Sequence, residues 1–206
     1  MVNVCGDDPD CIFNGSAPTQ TVSVIDERGN RVVGTATIGV YPTIFLANLV
    51  TDEIYAVNIC ASDPTCFYGS NNTIGTLNAI NGKSFSNRSI NLGLAVQAAA
   101  VNMLTNEVYV VETTDLLFIH GKDLRISSMP INFFPSDVEV NPLTYEIYVV
   151  DNSDNVLVRV DGVTHKTSSV GVGMGPTVAL VNPVTNRIYV MNSDNTVSVV
   201  AGGYRH

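Results

Sequence analysis

The chain has 206 residues, 45% of them hydrophobic and only 14% charged. That is enough apolar material for one buried core, and far too little charge for a disordered chain. Ten Lys and Arg against 19 Asp and Glu leave a net charge of −9, which repels phosphate backbones and argues against a nucleic-acid partner. No apolar run approaches the roughly 18 residues a membrane helix needs, so no membrane span is expected.

In chain order, Met1 to Asp8 has neither a basic region nor an apolar run and does not read as a signal peptide. Cys5-Gly-Asp-Asp-Pro-Asp-Cys11 comes next, and the arrangement returns at Cys60-Ala-Ser-Asp-Pro-Thr-Cys66. Asp-Pro favours a turn, which can bring flanking cysteines to the roughly 5.5–6 Å Cα separation of a disulfide. Two loop disulfides, Cys5–Cys11 and Cys60–Cys66, are therefore expected, and with them an oxidising, extracellular or periplasmic location. The signal would then have been removed, or the chain would be part of something longer. A four-thiolate zinc site is the rival, although zinc prefers gaps of roughly two to four residues.

Between the cysteine motifs and beyond them, one repeat runs through the chain. Its full copies are Asn48-Leu-Val-Thr-Asp-Glu-Ile-Tyr55, Asn102-Met-Leu-Thr-Asn-Glu-Val-Tyr109, Asn141-Pro-Leu-Thr-Tyr-Glu-Ile-Tyr148 and Asn182-Pro-Val-Thr-Asn-Arg-Ile-Tyr189. The tyrosines are 54, 39 and 41 residues apart, the long interval holding the second cysteine loop. A partial copy opens the chain, where Val2-Asn3-Val4-Cys5 aligns with Val57-Asn58-Ile59-Cys60. Each unit offers four strand signals. The first is a short apolar run before the Asn, such as Ala98 to Val101 or Val178 to Val181. The second is the Ile/Val-Tyr-Val run after a tight Asn-x-x-Thr-x turn. The third resembles Thr21 to Asp26 or Thr196 to Val200, and the fourth resembles Arg31 to Ile38 or Lys166 to Val172. β-Branched residues alternate with small or polar ones, and nothing repeats at 3.6 residues.

Four short strands in about 40 residues are the mark of a β-propeller blade. The expected architecture is one all-β propeller domain, 1–206, with repeats near 1–40, 41–93, 94–133, 134–174 and 175–206. Eighteen strands are anticipated: three, then three sets of four, then three. That makes about five blades with an incomplete first and last, or an open arc of a larger propeller. Incomplete blades leave open ladder edges, from which a homodimer or larger homo-oligomer is expected.

Tyr189-Val-Met-Asn192 after Asn-Pro-Val-Thr-Asn-Arg, followed by Asn195-Thr-Val-Ser-Val-Val200, resembles the YVTN-type propeller repeat. The likeness recurs in register four times across nearly the whole chain. Tyr55-Ala-Val-Asn58, Tyr109-Val-Val-Glu112 and Tyr148-Val-Val-Asp151 keep the tyrosine and vary the last position, and the cysteine loops are additions. The resemblance implies an exported, surface or periplasmic protein related to lactonase-like propellers, and implies no particular reaction.

Candidate chemistry lies on the first strands and on the loops at one end of the blades. Two and four residues before each repeat Asn stand Leu46 and Ile44, Ala100 and Ala98, Glu139 and Asp137, Leu180 and Val178. Period-two geometry puts each pair on one side of its strand, so one blade alone presents two carboxylates. Asp137 and Glu139 are thus candidate ligands for a divalent metal such as calcium, or else solvated channel carboxylates, and two ligands are few for calcium. Because neighbouring blades carry Ala98 and Val178, no structural need for the Asp137 carboxylate is expected. The loops after the tyrosine strands are polar, and Glu112, Asp115, Asn152, Asp154, Asn192 and Asp194 are candidates for a ligand-binding loop face. Asx-rich segments more often bond their own backbone in turns. Phe133, Phe134 and Tyr41 could form an apolar rim, and Gly171-Val-Gly-Met-Gly175 reads as a loop leading into a first strand. His120, His165 and His206 fall at the opposite end, too far apart to share a metal. Asn14, Asn71 and Asn87 match the glycosylation pattern.

No complete catalytic constellation is present. The leading expectation is an exported propeller binding a small-molecule or protein ligand on its loop face. A metal-assisted hydrolase of esters, lactones or phosphotriesters at Asp137 and Glu139 comes second, and a structural assembly module third.

Overall fold

The structure, a computed structural model, describes residues 2–3, 20–26, 28–39, 41–59 and 74–203. Among them are eighteen strands and no helix, hence none long and apolar enough to cross a membrane. The strands form five antiparallel sheets in two compact units, Met1–Val96 and Gln97–His206, divided between the second and third repeats. In the first unit, β1 (Val2–Asn3), β2 (Gln20–Asp26) and β3 (Arg31–Ile38) form one sheet. A second contains β4 (Pro42–Asn48), β5 (Glu53–Asn58), β6 (Ile74–Asn81) and β7 (Asn87–Leu94). The second unit opens with β8 (Ala98–Asn102), β9 (Glu107–Val111), β10 (Asp115–His120) and β11 (Ile126–Pro130). Next come β12 (Pro135–Asn141), β13 (Glu146–Asp151), β14 (Val156–Asp161) and β15 (Thr167–Gly171). The fifth sheet is β16 (Pro176–Asn182), β17 (Arg187–Asn192) and β18 (Val197–Ala201). Within every sheet the spatial order follows the chain order, so each is an up-and-down meander.

The division into three, four, four, four and three strands agrees with the repeat. The partial first copy is also in register: Asn3 pairs with Thr21 as Asn58 pairs with Thr76. The four cysteines, and the disulfides expected of them, lie outside the described residues.

The repeat residues make the turns. In Asn-x-x-Thr-x, the Asn Oδ1 accepts the N–H groups two and three residues on, as Asn48 does from Val50 at 2.9 Å and Asn102 from Leu104 at 3.0 Å. The last turn residue is left-handed: Asp52, Asn106, Tyr145 and Asn186 have φ between 49° and 60°. A second turn, between the third and fourth strands, repeats the device. Asn81 and Asp161 cap their turns, and Phe85, Leu124 and His165 take the left-handed position. The two turns then latch together, since the glycine after each third strand donates its N–H to the carbonyl of the left-handed residue. Gly82 does so to Asp52 at 2.7 Å, Gly121 to Asn106 at 2.8 Å, Gly162 to Tyr145 at 3.0 Å and Gly202 to Asn186 at 2.8 Å. A side chain at Gly162 would stand 2.6 Å from the Tyr145 carbonyl oxygen, so only glycine fits.

Buried faces hold each unit together. In the second, Tyr109, Val111 and Phe118 pack against Val138, Ile147 and Val149 of the next sheet, and Tyr148, Val150 and Leu157 pack against Ala179, Ile188 and Val190 of the third. The first strands β8 and β16 both lie against β12. In the first unit, Val22, Ala36 and Ile38 pack on Ala56 and Ile80, and the Phe85 ring fills the space a side chain at Gly34 would need. All β-turns between first and second and between third and fourth strands lie at one end of each unit, the turn end; the remaining loops form the loop end.

Candidate functional site

β12 begins at the loop end after a bulge between Pro135 and Asp137, a feature shared by β4 and β16. The bulge sets the alternation that puts Asp137 and Glu139 on one side of the strand, both half-buried, opposite Val150 and Tyr148 on β13. The flanking first strands carry Ala98 and Ala100 on one side and Val178 and Leu180 on the other. Asp137 Oδ2 accepts the N–H of Ala179 at 2.8 Å. It therefore serves an amide on the open edge of β16, a role the sequence did not anticipate. Burial pushes the Asp137 carboxyl above the usual range. Burial, with repulsion from Asp137, pushes Glu139 up to about 7. Backbone N–H groups oppose both shifts only in part, and no Lys or Arg acts on either carboxyl. Among the described residues no three His, Cys, Asp or Glu side chains come together as a metal site.

The loop residues are largely engaged with backbone. Asp151 is buried, and its Oδ1 accepts from the Ser153 and Asp154 amides at 2.9 and 3.2 Å. Asn152 Nδ2 donates to the Pro176 carbonyl at 2.8 Å. Glu112 is buried, with its N–H on the Asp115 carbonyl, and Thr114 donates its hydroxyl to Asp115 Oδ2 at 2.7 Å. Asn192, also buried, donates to the Thr196 and Ser198 hydroxyls at 2.9 and 3.0 Å. Asp194 accepts from the Met174 amide at 3.1 Å and from the Thr196 hydroxyl at 2.5 Å. The Thr196 hydroxyl is the main reason its carboxyl sits below the ordinary range. Asp154 is exposed.

These bonds clamp the 171–175 loop. Gly175 donates to Asn155 Oδ1 at 2.7 Å, and the Ser193 amide donates to the Met174 carbonyl at 3.0 Å. Gly175 has φ +60°, and a side chain at Gly173 would run into Asn192. The result is a rigid loop with Met174 held outward, 70% exposed. Phe134, on the equivalent loop before β12, is 67% exposed. Phe133 instead packs on the core, and Tyr41 is half-buried in the first unit. Of the three residues expected to form an apolar rim, only Phe134 is largely exposed, and Met174 is a further exposed apolar side chain of the second unit. Asn155, Ser193 and Met174 were not singled out in the sequence; the only hint was a glycine-rich loop between two Asx-rich ones.

Charge separates along the strands. In the second unit the loop end carries Glu112, Asp115, Asp137, Asp151, Asp154 and Asp194, and no described Lys, Arg or His, while Glu139 stands deeper, in the cross-strand row of Tyr148 and Arg159. Lys122, Arg125, Arg159, Lys166, Arg187, His120 and His165 all lie toward the turn end. There they meet acids: Arg125 Nε stands 2.6 Å from Asp123, His120 Nδ1 2.8 Å from the same carboxylate, and Arg159 Nε 3.0 Å from Glu146. The His120 and Arg125 bonds hold Asp123 at about 2. In the first unit Arg28, Arg31, Lys83 and Arg88 are likewise at the turn end, with Arg88 2.6 Å from Glu53. His165 stacks on Phe118, ring centroids 4.3 Å apart. Asn87 donates to the Thr37 carbonyl and accepts from Asn78, so its amide is occupied; Asn14, Asn71 and His206 lie outside the described residues.

No family model matches the chain, and no curated protein matches it. Solved structures do. Hydrazine synthase of Kuenenia stuttgartiensis is similar with a TM-score of 0.67 and 14% identity, over 95% of this chain and 67% of that one. Dihydro-heme d1 dehydrogenase NirN in complex with DHE is similar with a TM-score of 0.72 and 12% identity, over 97% of this chain and 41% of that one. The Cps50 (Swd1) β-propeller domain of Myceliophteria thermophila gives 0.64 and 7%, over 82% of this chain and 54% of that one. The chain thus spans about half or less of the latter two. At such identities the likeness shows the fold alone: an all-β propeller built of four-stranded antiparallel blades.

Proposed function

We propose that this propeller is an exported binding protein whose loop end takes a cationic ligand, an amine or guanidinium on an apolar or peptide body. One observation carries the reading. At the turn end Asp123 and Glu146 stand within hydrogen-bonding range of His120, Arg125 and Arg159, whereas no Lys or Arg acts on Asp137 or Glu139. Asp137 and Glu139 in particular are desolvated beside each other, and an arriving cation would relieve both their burial and their repulsion. Phe134 and Met174, exposed apolar side chains of the loop end, supply surface for the body of the ligand. Export rests on the resemblance to the YVTN-type repeat and on the cysteine loops.

The hydrolase alternative draws on the same pair, since a carboxyl at about 7 can take or give a proton near neutrality. One experiment separates the two. Calorimetric titration with a lysine- and leucine-containing peptide is run beside its glutamate counterpart, together with metal analysis and a panel of ester, lactone and phosphotriester substrates. The binding reading expects the lysine peptide alone to bind, more weakly to Glu139→Gln, with no turnover. Equal affinity for both peptides sinks it. A co-purifying divalent metal and hydrolysis lost in Asp137→Asn would establish the alternative.

A further inference from the structure

The side chains at the tips of the first turns are not the ones that form those turns. In each Asn-x-x-Thr-x turn the Asn carboxamide and the left-handed last residue hold the backbone. The second middle residue gives only its N–H to the Asn Oδ1, at 2.9 Å for Val50, 3.0 Å for Leu104, 3.0 Å for Leu143 and 3.1 Å for Val184. These four side chains are 66%, 55%, 59% and 88% exposed. The residue before each is apolar as well: Leu49, Met103, Pro142 and Pro183. Proline suits that place in a turn, but turn chemistry does not ask for Val or Leu at the next. In the turns between third and fourth strands the same bond is made by Arg28, Lys83 and Val163, so the position accepts charge. An aliphatic at all four tips of the first turns is therefore not explained by the fold.

Three of those tips lie at one end of the second unit. The first strands β8 and β16 flank β12, and Asn141 Nδ2 donates to Asn186 Oδ1 at 2.9 Å, tying the Pro142-Leu143 turn to the Pro183-Val184 turn. At the same end Lys122, Lys166 and Arg187 are exposed, and Lys166 and Arg187 enter no ion pair among the described residues. The acids there are recessed or engaged. Glu146 is buried, Glu107 accepts the Tyr109 hydroxyl at 3.1 Å, Asp161 caps its turn, and Asp123 is held by His120 and Arg125. Aliphatic tips among outward-reaching cations match a surface with hydrocarbon beneath a layer of phosphates. Three separate prongs, each one turn wide, supply little of the continuous packed core that a protein partner needs. The acids of the loop end act in the same sense, since a negative surface repels that end and leaves the turn end facing it.

We propose that the turn end of the second unit docks on an anionic lipid bilayer, with Leu104, Leu143 and Val184 entering the acyl boundary and Lys122, Lys166 and Arg187 meeting lipid phosphates. The chain lies on the bilayer and does not cross it. The loop end then faces away from the lipid, open to its own ligand, so the two surfaces act separately.

The test is co-sedimentation of the full chain with vesicles of phosphatidylcholine, with and without phosphatidylglycerol. Wild type is compared with a tip variant (Leu143→Ser with Val184→Ser), a charge variant (Lys166→Glu with Arg187→Glu) and Val197→Ser. Val197 is an exposed aliphatic paired with Met191, toward the loop end. Circular dichroism checks folding, and sedimentation velocity without lipid gives the mass. Wild type should partition at least about tenfold more strongly into the vesicles that contain phosphatidylglycerol, and high salt should remove that preference. The tip variant should lose at least about tenfold in partitioning, the charge variant should no longer distinguish the two lipids, and Val197→Ser should behave as wild type. Wild type that sediments with neither vesicle leaves the tips to a protein partner and overturns the proposal. Binding that survives in the tip variant, or that falls as far in Val197→Ser, overturns it too. So does a lipid-free dimer that the tip variant dissociates, because a second copy would then cover the tips.

Discussion

Asp137 carries two demands that different substitutions pull apart. Its Oδ2 satisfies the Ala179 amide on the open edge of β16, and its charge raises the cost of ionising Glu139. Asp137→Ala should leave that amide without a partner and cost about 1–2 kcal/mol in urea unfolding, whereas Asp137→Asn keeps an acceptor and should cost less. The asparagine variant should also lower the Glu139 pKa, measurable by carboxyl-carbon NMR titration, by removing the repulsion. Equal destabilisation by both variants would mean that the carboxylate acts through charge alone. The raised pKa values also fix a pH dependence. Between the ordinary glutamate value of 4.5 and about 7, the folded chain holds a proton on Glu139 that the unfolded chain releases. The stability contributed by that group is full below the unfolded value and is lost as pH rises through about 7. The thermal midpoint should therefore fall from about pH 5 to about pH 8, and Glu139→Gln should flatten the decline.

Pairs of turns, rather than single strands, are the unit that the repeat encodes. Asn-x-x-Thr-x caps one turn, a left-handed residue ends it, and a glycine from the third strand bonds the carbonyl left facing outward. Gly162→Ala should cost about 1–3 kcal/mol, because the new methyl meets the Tyr145 carbonyl oxygen and one turn must give way. The neighbouring exposed Lys166→Ala should be close to neutral in the same melt. Strand positions and the first turn were legible in the sequence because both are local: alternation fixes a strand, and Asn marks its own cap. The latch was not, since Gly162 meets Tyr145 only after β13 and β14 have paired in register. The site divides the same way. Period two alone put Asp137 and Glu139 on one side of a strand. That Asp137 serves Ala179, and that Asn155, Ser193 and Asp194 clamp the 171–175 loop, depends on how one sheet packs against the next.

The separation of charge between the two ends recurs through the sheets of the second unit, where every described lysine and arginine lies toward the turns. Two mechanisms of attraction for a cation then make different predictions. If net charge alone drew the ligand, Lys166→Glu at the turn end would strengthen binding about as much as Asp154→Lys at the loop end weakens it, since each changes the formal charge of −9 by two units in opposite directions. At physiological ionic strength, however, exposed charges are screened beyond about 8 Å, so a charge at the far end of the strands contributes little. Local recognition therefore predicts an asymmetric outcome. Asp154→Lys should weaken binding of the lysine peptide at least about tenfold, mainly through slower association, while Lys166→Glu should change it less than about twofold. Stopped-flow association rates across a salt series would measure both, and lowering the salt should bring the two variants' effects closer in size as the screening length grows. Equal and opposite effects at physiological salt would place the attraction in the overall charge, and the loop end would lose its claim to be the site.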